Sequence, residues 1–137
     1  MTNEVIISIK GIGSGEEEAI WLSARGSYHN RNGKHYIQYE ERTEEKEAVI
    51  NNTIKISNSL VSLTKKGAQQ LQMDFDQKEP TQAVYQTPYG SLILDINTKC
   101  IQQKEAPGRI EIQLEYSLFS DKELLSDHEL FIIIEEV

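Results

Sequence analysis

The sequence predicts an all-β fold, a single antiparallel, up-and-down β-barrel of about eight to ten strands. Apolar and polar residues alternate with a period of two in nearly every segment between turns. About ten such segments follow one another at short, even spacing, separated by turn residues. A meander with this many strands removes its open edges by closing on itself, so we favour a barrel over a sandwich.

The strands can be placed in order along the chain. Alternation is cleanest in segment 110–118, and Asn32-Gly33 suits a tight hairpin turn. Segment 130–134 is apolar on both faces, so we expect it to pack against something besides the interior. Two short segments could be helical, 98–104 and 120–125, where Ser120 and Glu123 have the spacing of a helix cap. For the second we favour a hairpin loop, because both flanking segments are strand-like. The predicted strands cover residues 5–9, 17–28, 35–40, 48–56, 60–64, 71–75, 81–87, 92–96, 110–118 and 130–134.

Length and composition fit one domain spanning residues 1–137. The hydrophobic fraction of 38% is low, as expected for strands that keep one face in water.

The net charge of −8 disfavours nucleic acid as a partner, because nucleic-acid affinity rests on basic side chains neutralising phosphates. From Glu105 to Val137 there are nine acidic residues and two basic ones. We interpret this excess as a solvated surface that favours solubility, with a docking face for a basic protein as the alternative.

The sequence predicts a cytoplasmic protein that does not associate with membranes. Cys100 is the single cysteine, which excludes an internal disulfide. The first residues, MTNEVIISIKG, lack the basic region that begins a signal peptide. No apolar run approaches the ~20 residues that a membrane-spanning helix needs.

No pattern in the sequence predicts catalysis, so we expect a protein that is not an enzyme and needs no cofactor or metal. His29 and His35 could face each other across a hairpin, but they lack a typical metal-ligand spacing. Cys100 has no histidine near it in sequence. The glycine-rich stretch 11–15 is followed by three glutamates, which would repel a phosphate.

Several segments resemble, in order, the YwiB-like family of small bacterial proteins. The segment 26–41 reads Gly-x-Tyr, a turn, then Tyr-hydrophobic-x-Tyr-x-Glu, as a hairpin of that family does. Further landmarks are the segments 53–56, 89–94 with Thr98, and 108–110. The resemblance implies a calycin-like barrel, the architecture that lipocalins and fatty-acid-binding proteins share. It supplies no catalytic residues, and the Gly-x-Trp motif and disulfide of lipocalins are missing.

Polar residues interrupt two of the apolar faces. Asn52 lies between Ile50 and Ile54, and Arg25 lies near the centre of a long strand. A buried amide or guanidinium without partners costs several kcal/mol. A β-bulge at Asn51 and Asn52 would turn Asn52 outward and bend the strand, and we favour it. The alternative is a partly polar, hydrated barrel interior.

Two functional hypotheses remain open. The first is a barrel whose interior binds a small, mostly apolar ligand. The second is a filled barrel that acts through its surface as an interaction or regulatory protein, with a homodimer or a basic protein as partner. That surface would be the acidic last quarter or an outer aromatic patch of Trp21, Tyr36 and Tyr39. The predicted ligand-binding residues of the first hypothesis are Ile20, Leu22, Arg25, Asn52, Ile54, Leu92, Leu94, Ile112, Leu114 and Tyr116.

Overall fold

The fold is a closed antiparallel barrel of ten strands, which confirms the predicted fold class. The structure is a computed structural model and describes residues 3–13, 20–42 and 48–137. The strands are β1 (Glu4–Gly13), β2 (Ile20–Arg31), β3 (Lys34–Arg42), β4 (Val49–Ile56), β5 (Leu60–Gly67), β6 (Gln70–Asp76), β7 (Thr81–Thr87), β8 (Gly90–Ala106), β9 (Arg109–Ser120) and β10 (Glu123–Glu136).

Each strand pairs with its neighbours in sequence, as in an up-and-down meander. Strands β1 and β10 then pair with each other and close the barrel. Their pairing runs without interruption from Val5 opposite Glu136 to Gly13 opposite His128. Closure therefore joins the two ends of the described chain directly.

Neither of the two segments that could have been helical forms a helix, and the second contains a hairpin loop, as expected. Residues 98–104 lie within β8, and residues 120–125 form the β9–β10 turn and the start of β10. At that turn Asp121 and Lys122 both have positive φ, which is the geometry of a two-residue hairpin loop. Pairing with neighbouring strands therefore outweighs the tendency of these two segments to form a short helix. The described residues contain no helix, hence none long and apolar enough to cross a membrane.

The bulge predicted at Asn51 and Asn52 is wrong. Strand β4 keeps continuous register with β3 and β5, and Asn52 lies opposite Tyr39 and Lys65. Its side chain faces the interior and is 4% exposed. The pairing register shifts instead in β8, between Thr98 and Cys100, and in β10, between Leu124 and Ser126.

The two ends of the barrel differ. We call the end with the turns at 32–33, 57–59, 77–80 and 107–108 the closed end, and the end with the turns at 68–69, 88–89 and 121–122 the open end. Towards the closed end the inward side chains are almost fully removed from solvent, and this burial supplies most of the hydrophobic stabilisation. These core side chains are Val5, Ile7, Ile37, Ile54, Ile56, Phe75, Ile96, Ile110, Ile112, Leu114, Ile132 and Ile134.

A chain of hydrogen bonds crosses the closed end. The hydroxyl of Tyr28 and Nδ1 of His35 are 2.5 Å apart, and Nε2 of His35 lies 3.0 Å from a carboxylate oxygen of Glu105. His35 lies on β3 and Glu105 on β8, with four strands between them on either side of the barrel. The amide of Gln103, also on β8, donates to the backbone carbonyl of Ser57 at 3.5 Å. The second half of β8 therefore leans across this end and covers the core.

Gly26 allows β2 and β3 to approach closely. A Cβ atom at this position would overlap the backbone carbonyl oxygen of Gln38 and would lie 2.6 Å from Cδ1 of Ile7. The Gln38 carbonyl belongs to the barrel wall and the Ile7 side chain to the core, so β2 and β3 would have to separate to accept a Cβ atom at Gly26. By contrast, a Cβ atom at Gly11 would lie 3.6 Å from the Leu130 side chain, an ordinary contact.

We expect Gly26→Ala to lower the free energy of unfolding by about 1–3 kcal/mol or more, as overpacking does. Gly11→Ala is the matched control, because both glycines lie in strands. It should leave stability unchanged or raise it by up to about 1 kcal/mol, since alanine restricts the unfolded chain. Denaturant unfolding followed by circular dichroism measures both. Equal stability of the two variants would contradict the close approach.

Candidate functional site

The inner wall remains accessible at the open end of the barrel. A row of paired residues runs round this end, from Asn52 through Lys65, Leu71 and Tyr85 to Leu92. Leu92 is 50% exposed although it lies on the inward side of β8, and Leu71 and Tyr85 are half-buried. This end therefore leaves apolar and phenolic side chains of the inner wall partly exposed above the packed core, and we call this surface the cup. Other half-buried inward side chains there are Leu22, Tyr116 and Leu130.

Three hydroxyl groups on the inner wall lack hydrogen-bond partners in the described part of the chain. The Thr98 hydroxyl is fully buried and unpaired. Tyr116 lies opposite Thr98 in the β8–β9 pair and packs against Phe75, with ring centroids 4.7 Å apart. Neither Tyr116 nor Tyr85 makes a hydrogen bond through its hydroxyl. Of the three, the Thr98 oxygen is the buried one, and because unsatisfied buried polar groups are rare in folded proteins, it points to a partner such as water or a ligand.

The phenols of the open end are protonated at neutral pH, and burial makes them still harder to ionise. It raises the pKa of Tyr116 to about 12, with a smaller contribution from the nearby Tyr85 phenol. Burial also raises the pKa of Tyr85 above its ordinary value. The pKa of Tyr39 is raised as well, first by burial and then by the negative charge of Glu41. At neutral pH these side chains are therefore hydrogen-bond donors.

A serine and a histidine lie beside the cup on β10. The hydroxyl of Ser126 and Nε2 of His128 are 2.7 Å apart, and the His128 ring stacks on Tyr116 with centroids 5.1 Å apart. A nucleophilic serine also needs a carboxylate that orients the histidine. Two acids adjoin His128 in sequence: Asp127 accepts hydrogen bonds from Ser117 and Lys99, and Glu129 lies on the outer face opposite Glu115. The pair therefore adds polar atoms to the wall and does not form a triad.

Asn52 belongs to a polar cluster that explains how its amide is tolerated inside. The Lys65 ammonium donates to Glu41 at 2.6 Å and to the side-chain oxygen of Asn52 at 2.9 Å. The Asn52 amide nitrogen donates to the carbonyl of Ile50 at 3.4 Å. These bonds offset the cost of burying the amide. Sequence reasoning missed Lys65 and Glu41, because the strand containing Lys65 was predicted to end at residue 64.

A cleft opens beside the cup where β2 and β3 part. Their pairing stops at Gly26 and Tyr39, while β2 stays paired with β1 and β3 stays paired with β4. The cleft has a volume of about 630 Å³ and its lining is polar. Because Tyr39 and Asn52 face the interior, the cleft reaches through the wall. It is lined by Arg25, Gly26, Ser27, Gln38, Tyr39, Glu40, Arg42, Asn51, Asn52 and Thr53.

The predicted ligand-binding residues separate into distinct locations. Arg25 is exposed on the outer face, at the edge of the cleft. The side chain of Ile20 lies outside the described residues. The open end holds Leu22, Asn52, Leu92 and Tyr116. The packed interior holds Ile54, Leu94, Ile112 and Leu114.

Two groupings considered from the sequence do not form. His29 and His35 lie on opposite faces of their hairpin, since His29 pairs with Tyr36 and His35 pairs with Asn30. The outer aromatic patch is also wrong, because Tyr39 faces inward and is 7% exposed. In the described ranges no three His, Cys, Asp or Glu side chains are grouped to hold a metal ion.

We expect the stability of the protein to fall as the pH rises from 10 to 12. In this range the unfolded chain loses the Tyr116 proton, with an ordinary pKa of 10.0, while the folded chain retains it. The unfolded state then binds fewer protons, so this one group lowers the free energy of unfolding by up to about 1.4 kcal/mol per pH unit. Tyr116→Phe should flatten the decline measured by denaturant unfolding. Tyr89→Phe, at a fully exposed position, should not, and equal slopes for both variants would contradict burial of Tyr116.

Comparison with known proteins identifies the family. The family model described as a domain of unknown function, DUF1934, matches residues 7–132. The uncharacterized beta-barrel protein YwiB of Bacillus subtilis (strain 168) is 29% identical over 113 residues, which covers 81% of this chain and 78% of YwiB. The crystal structure of the ywiB protein from Bacillus subtilis superposes with a TM-score of 0.84 at 23% identity, covering 98% of this chain and 92% of that one. The protein therefore belongs to the DUF1934 family of YwiB-like β-barrels.

Proposed function

We propose that the protein is a non-enzymatic binding barrel that takes a small ligand into the cup at its open end. The ligand has an apolar body and at least one hydrogen-bond acceptor, such as a carbonyl or hydroxyl oxygen. The apolar body contacts leucine side chains on the wall, and the acceptor meets the phenols. The packed core beneath the cup limits how deeply the ligand enters.

The observation that carries the proposal is the buried, unpaired Thr98 hydroxyl on the inner wall, with two phenols close to it. Thr98 and Tyr116 are adjacent across a strand pair, and Tyr85 lies near enough to influence the pKa of Tyr116. Leaving a buried polar group unsatisfied costs about 1–3 kcal/mol, and an acceptor atom of a ligand removes that cost. Ligand sites in proteins commonly combine apolar walls with a few convergent polar groups of this kind.

The apolar part of the wall supports the same conclusion. Leu92 is an inward residue that remains 50% exposed, and Leu22, Leu71 and Leu130 are only partly buried. Covering apolar surface contributes about 25 cal/mol per Å² removed from water. A ligand that covers these leucines would therefore gain hydrophobic stabilisation without displacing the core.

Two variants on β8 test the site. Leu92 and Ile93 are neighbours, 50% and 52% exposed, on opposite faces of the same strand. Leu92→Glu places a carboxylate in the cup, whereas Ile93→Glu places the same charge outside. With the neutral apolar dye Nile red as probe, we expect Leu92→Glu to weaken binding by about tenfold or more and Ile93→Glu to leave it within about twofold. Fluorescence titration measures both affinities.

Native mass spectrometry of protein purified without denaturation gives an independent measurement. The proposal predicts a retained small molecule on the wild-type chain that Leu92→Glu loses. Wild-type protein that carries no added mass and binds Nile red no better than Leu92→Glu would contradict the proposal.

A further inference from the structure

The outer face of β2, β1 and β10 carries apolar side chains where a barrel in water should be polar. We call Ile6, Trp21, Phe131 and Ile133 the outer apolar face. Trp21 is 66% exposed, and Phe131 and Ile133 are only partly buried. Pairing across β1 makes the set contiguous, because Trp21 and Phe131 both pair with Lys10, and Ile133 pairs with Ser8 on the next row. This explains why segment 130–134 is apolar on both sides.

The shape of this face is complementary to itself. Phe131 and Ile133 form a ridge with a hollow on each side. Trp21 borders the hollow on the β1 side, which has a volume of about 180 Å³. The hollow on the β9 side, of about 200 Å³, is lined by Lys104, Glu111 and Gln113 among others. A projecting indole therefore lies on one side of the ridge and an empty hollow on the other.

The charges show the same two-sided pattern. Lys10 lies on the Trp21 side, with its ammonium 5.1 Å from the Trp21 ring centroid and 5.7 Å from that of Phe131. Arg25 is exposed further along β2. On the β9 side, Glu111 and Glu115 lie on the outer face on either side of Gln113, which pairs with Phe131. The Trp21 flank of the ridge therefore carries Lys10, and the β9 flank carries two acidic side chains beside Lys104.

We propose that a second copy of this chain docks on the outer apolar face to form a symmetric homodimer. A two-fold axis along the Phe131–Ile133 ridge brings the Trp21 side of each copy opposite the β9 side of the other. Each indole then fills the hollow beside Gln113 of the other copy, and Lys10 comes opposite Gln113 of the other copy, between Glu111 and Glu115. A face that is complementary to itself favours a second copy over an unrelated partner, because a two-fold contact uses the same surface twice. This inference is independent of the proposed ligand, which binds at the open end.

Sedimentation velocity over a range of protein concentrations tests the dimer. We expect the native chain to reach a mass of twice 15.7 kDa. Trp21→Glu and Ile133→Glu should each weaken dimerisation by about tenfold or more, because central aromatic and apolar contacts carry most interface energy. Ile93→Glu, which changes an exposed apolar residue on β8 outside this face, should dimerise as the wild type does. Circular dichroism confirms that each variant remains folded.

Trp21 also reports on the interface directly, since it is the only tryptophan in the chain. Its fluorescence should shift to shorter wavelength as dimers form with rising concentration. A wild-type chain that stays monomeric throughout would overturn the proposal. So would a dimer that Trp21→Glu and Ile133→Glu leave intact, or one that forms with no change in the tryptophan spectrum.

Discussion

Pairing between the first and last strands is the constraint on which the rest of the structure depends. Nine consecutive positions of β1 and β10 join the two ends of the described chain. Without this pairing the meander would be an open sheet with two exposed edges and an apolar face in water. With it, alternation of period two sorts each strand into an inner and an outer side. The burial of Val5, Ile7, Ile132 and Ile134 follows from the same pairing.

Closure leaves the interior tightly packed at one end of the barrel axis and more accessible at the other. At one end, Glu105 and His35 connect opposite walls, and β8 covers a core of isoleucine, leucine, valine and phenylalanine. At the other end, Leu92 and two tyrosines remain accessible, and the wall parts beyond Gly26. A barrel that is stabilised at one end can keep a less tightly packed surface at the other, where we propose that binding takes place. The packed end supplies stability, and the accessible end holds the proposed site.

Period two was sufficient to predict the closed barrel and the number of its strands, because each strand has one wet and one dry face. Contacts between strands distant in sequence were not predictable in this way, and the bond between His35 and Glu105 spans 70 residues. Lys65, the partner of Asn52 on the next strand, was missed for a different reason, because its strand was predicted to end one residue before it. Strand alternation placed Leu22, Leu92 and Tyr116 on the inside, but which end of the barrel is filled depends on how β8 curves. Arg25 was counted among the interior residues because a polar residue near the centre of a long strand suggested a partly polar interior, whereas β2 keeps continuous register with β1 and turns Arg25 outward.

Residue-resolved amide hydrogen exchange of the native protein tests closure most directly. If β1 and β10 form the seam described above, their paired amides exchange only through global unfolding, with the same opening free energy as the paired amides of β8 and β9. The β2 amides that face the cleft, between Trp21 and Arg25, exchange much faster because β3 does not pair with them. Seam amides that open at a far lower free energy than the β8–β9 amides would show an open sheet and contradict the account.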